Sequence, residues 1–348
     1  MKNSLKVDVS RRNLESDAVI VDGNAIMWTC HWPSKGNVED LTDVLYQYVR
    51  KLLSIRDVYL IFDRCRDFSI KGVTRSERAK NTAFRHNFSL KTVLPNREKA
   101  LGSTSNKIQL IEIICKYIST KVTDNPVENR LFITGADEIA KMVNNGITVE
   151  MLDMRTSHEE ADLILVQQCY KAVSEGCSSV SIISDDTDVF VLLAYFYGML
   201  ACTVLVMMEA THEKRTVVDI GETVRRYPDL ISSLPAMHAL TGCDSVCRMR
   251  GIGKKTVIKV AQKMILYHMG DINSKSTDVF AEATKFVGMC YGITKGTDMS
   301  DKRYLLWLKK SQGKLGRAPI FVLYHQQLKH VRLMFYELTT GRLYGNLP

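Results

Sequence analysis

Short apolar runs rich in β-branched residues recur along the chain, and a helical pattern separates each run from the next. Such runs are typical of strands that are buried on both faces in a parallel sheet. The runs lie at residues 18–21, 58–62, 130–134, 179–183 and 203–208. The helical patterns lie at roughly 40–54, 106–119, 136–144, 158–174 and 188–197. This alternation predicts an α/β fold in which a mainly parallel sheet has helices on both faces.

One charge-free segment, residues 189–208, is long enough for a membrane-spanning helix. However, an acidic cluster directly precedes it, Gly198 lies in its middle, and β-branched residues follow Cys202. These features favour a buried helix, a turn and a buried strand. No membrane is therefore expected as a partner.

Acidic side chains follow the predicted strands at the points where the strands end. Asp22 follows the first strand, Asp63 the second, and Asp186 and Asp188 the fourth. Because ligands bind at the carboxyl ends of parallel strands, these acids are expected at one edge of the sheet. Their oxygens suit two Mg²⁺ or Mn²⁺ ions, which can clamp the attacking and leaving oxygens of a phosphodiester. A single aspartate there is more often a turn or capping residue, so the grouping carries the prediction.

The stretch "TSHEEADLIL", residues 156–165, contains further acids and has two interpretations. In the first, Ser157 caps a helix and Glu160 completes a capping box, which explains Glu160 without a metal. In the second, Glu160 and Asp162 join the acids at the sheet edge. The residues alone favour the cap, and first-turn acids also complement the helix dipole.

The net charge of +9 favours a polyanionic partner such as nucleic acid. Residues 64–99 are especially basic, although a solvated face is the plainer interpretation of such a run. The nine cysteines have no framework spacing, which is typical of reduced thiols in an intracellular protein. The N-terminal residues do not resemble a signal peptide.

The sequence "GIGKKT", residues 251–256, predicts a phosphate-binding loop. Its two glycines allow a ligand to approach the backbone closely, and the amides of the following helix favour an anion. Lys254 and Lys255 add positive charge. The alternative is a glycine-rich turn between two helices with solvated lysines.

Taken together, these motifs resemble the flap endonuclease family, the structure-specific 5′ nucleases with a PIN-like catalytic core. "VIVDGNAIMW" is similar to the family's first strand and acid, and "IFDR" with "RSER" to its second acid and basic arch. "EEAD" and "SDDTD" are similar to its paired acids, and "GCDSVCRMRGIGKKT" to its helix-two-turn-helix signature. The resemblance covers about residues 17–265. The metal-site acids that it implies are Asp22, Asp63, Glu160, Asp162, Asp186, Asp188 and Asp244.

The resemblance also implies roles for cations, glycines and one aromatic residue. Lys71 and Arg75 would be the catalytic cations that stabilise the scissile phosphate. Trp28 would stack on a base next to the cut, where an ordinary core tryptophan is the alternative. The remaining nucleic-acid-binding residues would be Arg78, Gly251, Gly253, Lys254 and Lys255, with K⁺ bound at the glycine loop.

Several features differ from the family. Asp162 stands where the family usually has glutamate, no sliding-clamp peptide is evident, and residues 266–348 match no known pattern. The predicted organisation is an N-terminal extension at 1–16, a PIN-like nuclease core at 17–215, a helix-two-turn-helix region at 216–295 and a C-terminal segment of unknown role at 296–348. The core contains a basic arch-like insertion at about 64–103.

The sequence therefore predicts a Mg²⁺-dependent nuclease that acts on branched or 5′-ended nucleic acid, in particular DNA. Two alternatives stay open: a nuclease-like module that binds nucleic acid or protein without cutting, and a PIN-type ribonuclease. An intracellular, nuclear location is expected from the substrate and the free cysteines.

Overall fold

The computed structural model describes residues 1–9, 16–64, 85–135, 137–158, 160–200, 202–211, 217–243, 249–271 and 273–311. The chain divides into two compact units. The first, called the sheet unit, comprises Val7–Leu193 and Cys202–Glu222. The second, called the helical unit, comprises Met1–Lys6, Ala194–Ala201 and Thr223–Pro348.

The described residues of the sheet unit form nine strands in one sheet. The strands are β1 (Asp8–Val9), β2 (Ala18–Asp22), β3 (Asp57–Ile61), β4 (Leu131–Thr134), β5 (Ala140–Asn144), β6 (Ile147–Met151), β7 (Ser179–Ile183), β8 (Leu205–Glu209) and β9 (Val217–Asp219). Their order is β1-β9-β8-β7-β2-β3-β4-β5-β6. The five central strands, from β8 to β4, pair in parallel, and the strands outside them pair antiparallel.

Thirteen α-helices lie within the described residues. They are α1 (Lys2–Leu5), α2 (Gly23–Thr29), α3 (Val38–Leu53), α4 (Arg97–Leu101), α5 (Thr104–Asp124), α6 (Ala161–Ser174), α7 (Thr187–Met199), α8 (Ile220–Arg226), α9 (Pro228–Ile231), α10 (Leu234–Leu240), α11 (Lys254–Ala261), α12 (Ser276–Cys290) and α13 (Met299–Ser311). A short 3₁₀ helix spans Leu152–Met154.

Helices cover both faces of the sheet. Val19 and Val21 of β2 belong to a core cluster that also contains buried residues of α3 and α5. Ile20 lies between them in sequence, points to the opposite face and is also fully buried. Helix α6 packs against β2, β3 and β7. The predicted α/β fold with a parallel central sheet and helices on both faces is therefore confirmed.

The segment at 136–144 is not the helix that the sequence pattern predicts. Residues Ala140–Asn144 form β5, which pairs with β6 in an antiparallel hairpin. Asn145 and Gly146 connect the two strands with φ angles of 47° and 76°. An Asn-Gly pair in this conformation favours a tight hairpin, and the dipeptide is visible in the sequence. The turn signal thus outweighed the helical periodicity.

The charge-free segment at 189–208 has the structure that the sequence predicts. It contains most of helix α7 and the start of β8, with a turn between them. None of the helices within the described ranges is both long enough and apolar enough to cross a membrane.

The helical unit contains the segment that the sequence links to nucleic acid. Helix α10 ends at Leu240, and α11 begins at Lys254, directly after the glycine loop at 251–253. Helix α11 packs against α1 and α12, and α12 also packs against α13.

Three consecutive backbone amides, those of Tyr267, His268 and Met269, donate to the buried carboxylate of Glu282 on α12 at 2.7–2.9 Å. This carboxylate fixes the segment at 267–269, which follows α11.

Candidate active site

Three acids lie at the carboxyl ends of three adjacent parallel strands. Asp22 is the last residue of β2, Asp63 follows β3 by two residues, and Asp186 follows β7 by three. These strands are neighbours in the order β7-β2-β3. Parallel pairing brings their carboxyl ends to the same edge, so the fold places the three carboxylates together.

Asp22 is the most buried of these acids, with 7% of its surface exposed. One carboxylate oxygen accepts the amide hydrogen of Ala25 at 3.0 Å and caps α2. The other accepts the hydroxyl hydrogen of Ser184 at 3.3 Å. Burial, and secondarily the charges of Asp63 and Asp186, raise the pKa of Asp22 to about 6. Asp22 is therefore costly to ionise in this environment, mainly because it is buried.

Gly23 allows the start of α2 to pack against the ring of Phe62. A Cβ atom at Gly23 would lie 2.4 Å from Cε1 of Phe62, the residue that precedes Asp63. Such a contact is far shorter than atoms tolerate. The Asp-Gly pair therefore lets α2 begin directly against the end of β3.

Asp63 is held from two sides by groups distant in sequence. Its Oδ1 accepts the amide hydrogen of Ala161 at 3.0 Å, so Asp63 also caps the N-terminus of α6. Its Oδ2 forms an ion pair with Lys107 of α5 at 2.7 Å, in which the side chains of Lys107 and Asp63 are 13% and 16% exposed. Lys107 was not predicted as a site residue, because nothing in the local sequence distinguishes it from a solvated lysine.

The N-terminus of α6 brings a second pair of acids to Asp63. Glu160 is the N-cap residue of α6 and Asp162 lies in its first turn. The capping-box interpretation is wrong, because the helix begins at Ala161 and Glu160 makes no capping hydrogen bond with its side chain. Ser157 therefore precedes the cap position. The capping box therefore does not explain Glu160, and its role as a metal ligand stays a prediction.

Arg64 connects the end of β3 to the segment that precedes α6. This side chain is only 6% exposed, and its guanidinium donates to the backbone carbonyl of Thr156. The carbonyl of His158 lies 3.5 Å from the same nitrogen. Burial, and then the charge of Arg64, lower the pKa of His158. Sequence reasoning did not single out Arg64, although an arginine next to a strand-end acid was a visible signal.

The three aspartates of "SDDTD" have different environments. Asp185 binds Thr211, whose amide lies 3.1 Å from its Oδ2 and whose hydroxyl also donates to that oxygen. Asp186 is exposed and accepts the amide hydrogen of Asp188 at 2.8 Å. Ser184 accepts the amide hydrogen of Asp186 at 3.2 Å and donates to Asp22, which links the two strand ends. Asp185 therefore has a structural role, whereas the charge of Asp186 acts on Asp22, and the role of Asp188 as a metal ligand stays a prediction.

The donor set of this site fits a divalent cation such as Mg²⁺. All the donors are carboxylate oxygens, and a cation would offset both the burial of the Asp22 charge and its repulsion by Asp63 and Asp186. In the part of the chain that the structure describes, no three histidine, cysteine or acidic side chains are arranged closely enough to hold a metal ion. Lys107 instead neutralises Asp63.

Four predicted site residues lie outside the described residues. Lys71, Arg75 and Arg78 fall within 65–84, and Asp244 falls within 244–248. Their predicted roles stay predictions.

Trp28 is 45% exposed at the end of α2, so it is not a core tryptophan. Arg97 donates hydrogen bonds to the backbone carbonyls of Trp28 and Cys30, and its guanidinium lies 5.4 Å from the ring of Trp32. These contacts fix the backbone and leave the Trp28 ring accessible. An exposed, well-anchored aromatic ring of this kind can stack on a base.

The glycine loop of the helical unit has an open surface. Gly251 has a φ angle of 74°, which favours glycine, and Gly253 is the N-cap residue of α11. A Cβ atom at either glycine would meet no atom within 4 Å. Lys255 is exposed, whereas Lys254 is partly buried.

Comparisons with known protein families and with curated proteins find no match. Among solved structures, the chain is similar to the bacteriophage T5 flap endonuclease in a pseudo-enzyme–product complex with DNA and metal ions, at 13% identity and a TM-score of 0.43, over 93% of this chain and 99% of the other. It is also similar to the catalytic core of Rad2 in complex with DNA substrate, at 14% identity and a TM-score of 0.47, over 99% and 84% of the two chains. A third similar structure is the T5 5′-exonuclease with bound zinc, at 14% identity and a TM-score of 0.38, over 92% and 99%. The first of these is named a flap endonuclease.

Proposed function

We propose that the protein is a divalent-metal-dependent nuclease that hydrolyses phosphodiester bonds in branched or 5′-ended nucleic acid, in particular DNA. One observation carries this proposal. The carboxylates of Asp22, Asp63 and Asp186 follow three adjacent parallel strands, so they lie at one edge of the sheet. A folded chain tolerates such a cluster when a cation serves a function there.

The proposed cofactor is a pair of Mg²⁺ or Mn²⁺ ions. The residues that would hold them are Asp22, Asp63, Glu160, Asp162, Asp186, Asp188 and Asp244. When bound, such ions supply an activated water and offset the charge that develops on the phosphate. Asp22 is buried and fixed by two hydrogen bonds, so it would hold its position as the charge of the site changes.

The chain's own cations would complement the acids. Lys107 fixes Asp63 and offsets its charge at the sheet edge. Lys71 and Arg75 are proposed to stabilise the charge of the scissile phosphate. Trp28, with its exposed ring, is proposed to stack on the base beside the cut.

The helical unit is proposed to hold duplex phosphates away from the cut as a helix-two-turn-helix element. The open glycine loop and the first turn of α11 present backbone amides and the exposed Lys255, which would bind phosphate without reading sequence. Arg78 is proposed to contact the nucleic acid, and K⁺ to bind at carbonyls of the loop. A nuclear location follows from this proposal as a prediction.

Cleavage of end-labelled substrates tests the proposal. The substrates are a 5′ flap, a nicked duplex, single-stranded DNA and single-stranded RNA, each with Mg²⁺ or with EDTA. We expect metal-dependent cutting near the flap junction that Asp186→Asn abolishes while flap binding persists. The matched control is Asp185→Asn, because this neighbouring acid binds Thr211 and should leave cleavage intact.

Other outcomes favour the alternatives. Tight flap binding without cutting by the unaltered protein would favour a nuclease-like binding module. Preferred cleavage of single-stranded RNA would favour a PIN-type ribonuclease. Cleavage that survives Asp186→Asn would refute the proposed metal site.

A further inference from the structure

The side chain of Lys254 enters the turn that ends helix α10. Its ammonium donates to the backbone carbonyls of His238 and Gly242 at 3.1 and 2.7 Å, and to the hydroxyl of Thr241 at 2.8 Å. It also lies 3.3 Å from Nδ1 of His238. Three oxygen atoms therefore surround the positive charge.

These oxygens are available because a helix ends there. The last carbonyls of an α-helix have no partner within the helix, and they attract a cation. Helix α10 ends at Leu240, Thr241 is its C-cap residue, and Gly242 follows with a φ angle of 98°. Lys254 thus acts as a capping group that comes from the first position of α11.

Lys255, the next residue, has a different environment. It is exposed, although it shares the N-terminal turn of α11 with Lys254. A second contact fixes the other side of the glycine loop, where the hydroxyl of Tyr291 donates to the carbonyl of Arg250 at 3.1 Å. The loop at 251–253 therefore lies between two anchored positions.

We propose that the two lysines divide their roles: Lys254 is a positioning residue that fastens the glycine loop to the end of α10, and Lys255 supplies the charge that a phosphate meets. This inference rests on the proposed function in taking the loop as a phosphate-binding element. An ammonium already surrounded by three oxygens is a poor phosphate ligand, because binding a phosphate would require it to leave them.

Binding of a fluorescent 5′-flap DNA at several KCl concentrations tests this division. Each phosphate contact made by a cation contributes about 0.9 to the slope of log K against log salt for duplex DNA. We expect Lys255→Met to reduce the slope by about this amount. Lys254→Met should weaken binding equally at every salt concentration and leave the slope unchanged. A slope that falls equally in both variants would overturn the proposal.

A double-mutant cycle tests the anchor without nucleic acid. Thr241→Val removes one acceptor of the Lys254 ammonium and keeps the side-chain shape. We expect it to lower the thermal stability of the unaltered chain but to have little further effect in the Lys254→Met background. Additive effects would overturn the proposal. Absence of flap binding by the unaltered protein would refute the proposed function, and the cycle would still decide the role of Lys254.

Lys254→Arg serves if Lys254→Met does not fold. A phosphate contact accepts arginine readily, whereas a planar guanidinium does not fit three oxygens arranged around an ammonium. We expect Lys254→Arg to bind the flap DNA more weakly than the unaltered protein and to show the same slope of log K against log salt. Full affinity in Lys254→Arg would overturn the proposal.

Discussion

Replacing the most buried acid, Asp22→Asn, should stabilise the metal-free protein at neutral pH. The cause is the cost of ionising a carboxylate that is 7% exposed and lies near Asp63 and Asp186. Asparagine keeps an oxygen that accepts the amide hydrogen of Ala25, so the cap of α2 survives. The substitution therefore removes the charge and retains the cap of α2, at the cost of the hydrogen bond that Ser184 donates to the second oxygen.

The magnitude follows from the pKa of Asp22, which is raised to about 6. The difference from the ordinary aspartate value of about 3.9 corresponds to roughly 3 kcal/mol of unfolding free energy. The native state keeps its proton between these two values while the unfolded state has lost it, so stability falls as pH rises through this window. Below about pH 4 both states are protonated and the cost vanishes.

Denaturant unfolding in the presence of EDTA, from about pH 4 to about pH 8, measures this effect. We expect Asp22→Asn to match the unaltered protein at the acidic end and to exceed it by up to roughly 3 kcal/mol above about pH 7. Asp185→Asn is the control, because Asp185 is exposed and binds Thr211. Saturating Mg²⁺ should stabilise the unaltered protein, since a ligand stabilises the state that binds it. The unaltered protein should then have a larger unfolding free energy than Asp22→Asn.

A gain in stability that is constant with pH would refute this reasoning, because it would not arise from ionisation. A loss of stability at neutral pH would also refute it. That result would show that the charged form of Asp22 contributes more through its hydrogen bonds than it costs by burial.

Three further substitutions test individual contacts. Lys107→Met removes the ion pair between Lys107 and Asp63 and should destabilise the metal-free protein by on the order of 3 kcal/mol. Mg²⁺ should restore part of the lost stability. An unfolding free energy that is unchanged in EDTA would contradict this prediction. Arg64→Met should reduce metal affinity, measured by calorimetry, by about tenfold, because it removes the nitrogen that donates to the carbonyl of Thr156 and lies beside the carbonyl of His158. Glu282→Gln should lower the unfolding free energy by about 2 kcal/mol, because an amide does not accept three backbone hydrogens as a carboxylate does. Asp278→Asn, exposed on the same helix, is the control and should change it by less than about 0.5 kcal/mol.

The sequence by itself determined the central strands and the acids at their ends. Strands buried on both faces require continuous apolar runs, so β2, β3, β4, β7 and β8 were recognisable from composition alone. The acids follow those runs directly, and parallel strands bring their carboxyl ends to one edge. The position of Asp22, Asp63 and Asp186 at one edge was therefore predictable before the strand order was known.

The tertiary structure alone decided which groups distant in sequence contact these acids. The partners of Asp63 are Lys107 and Ala161, which lie 44 and 98 residues away, and no local pattern encodes such distances. Asp185 and Asp186 are adjacent and alike in sequence, and only the position of Thr211 beside the strand end separates their roles. Local sequence fixes the propensity and burial of a segment, whereas the environment of a charged side chain depends on residues that folding brings from elsewhere in the chain.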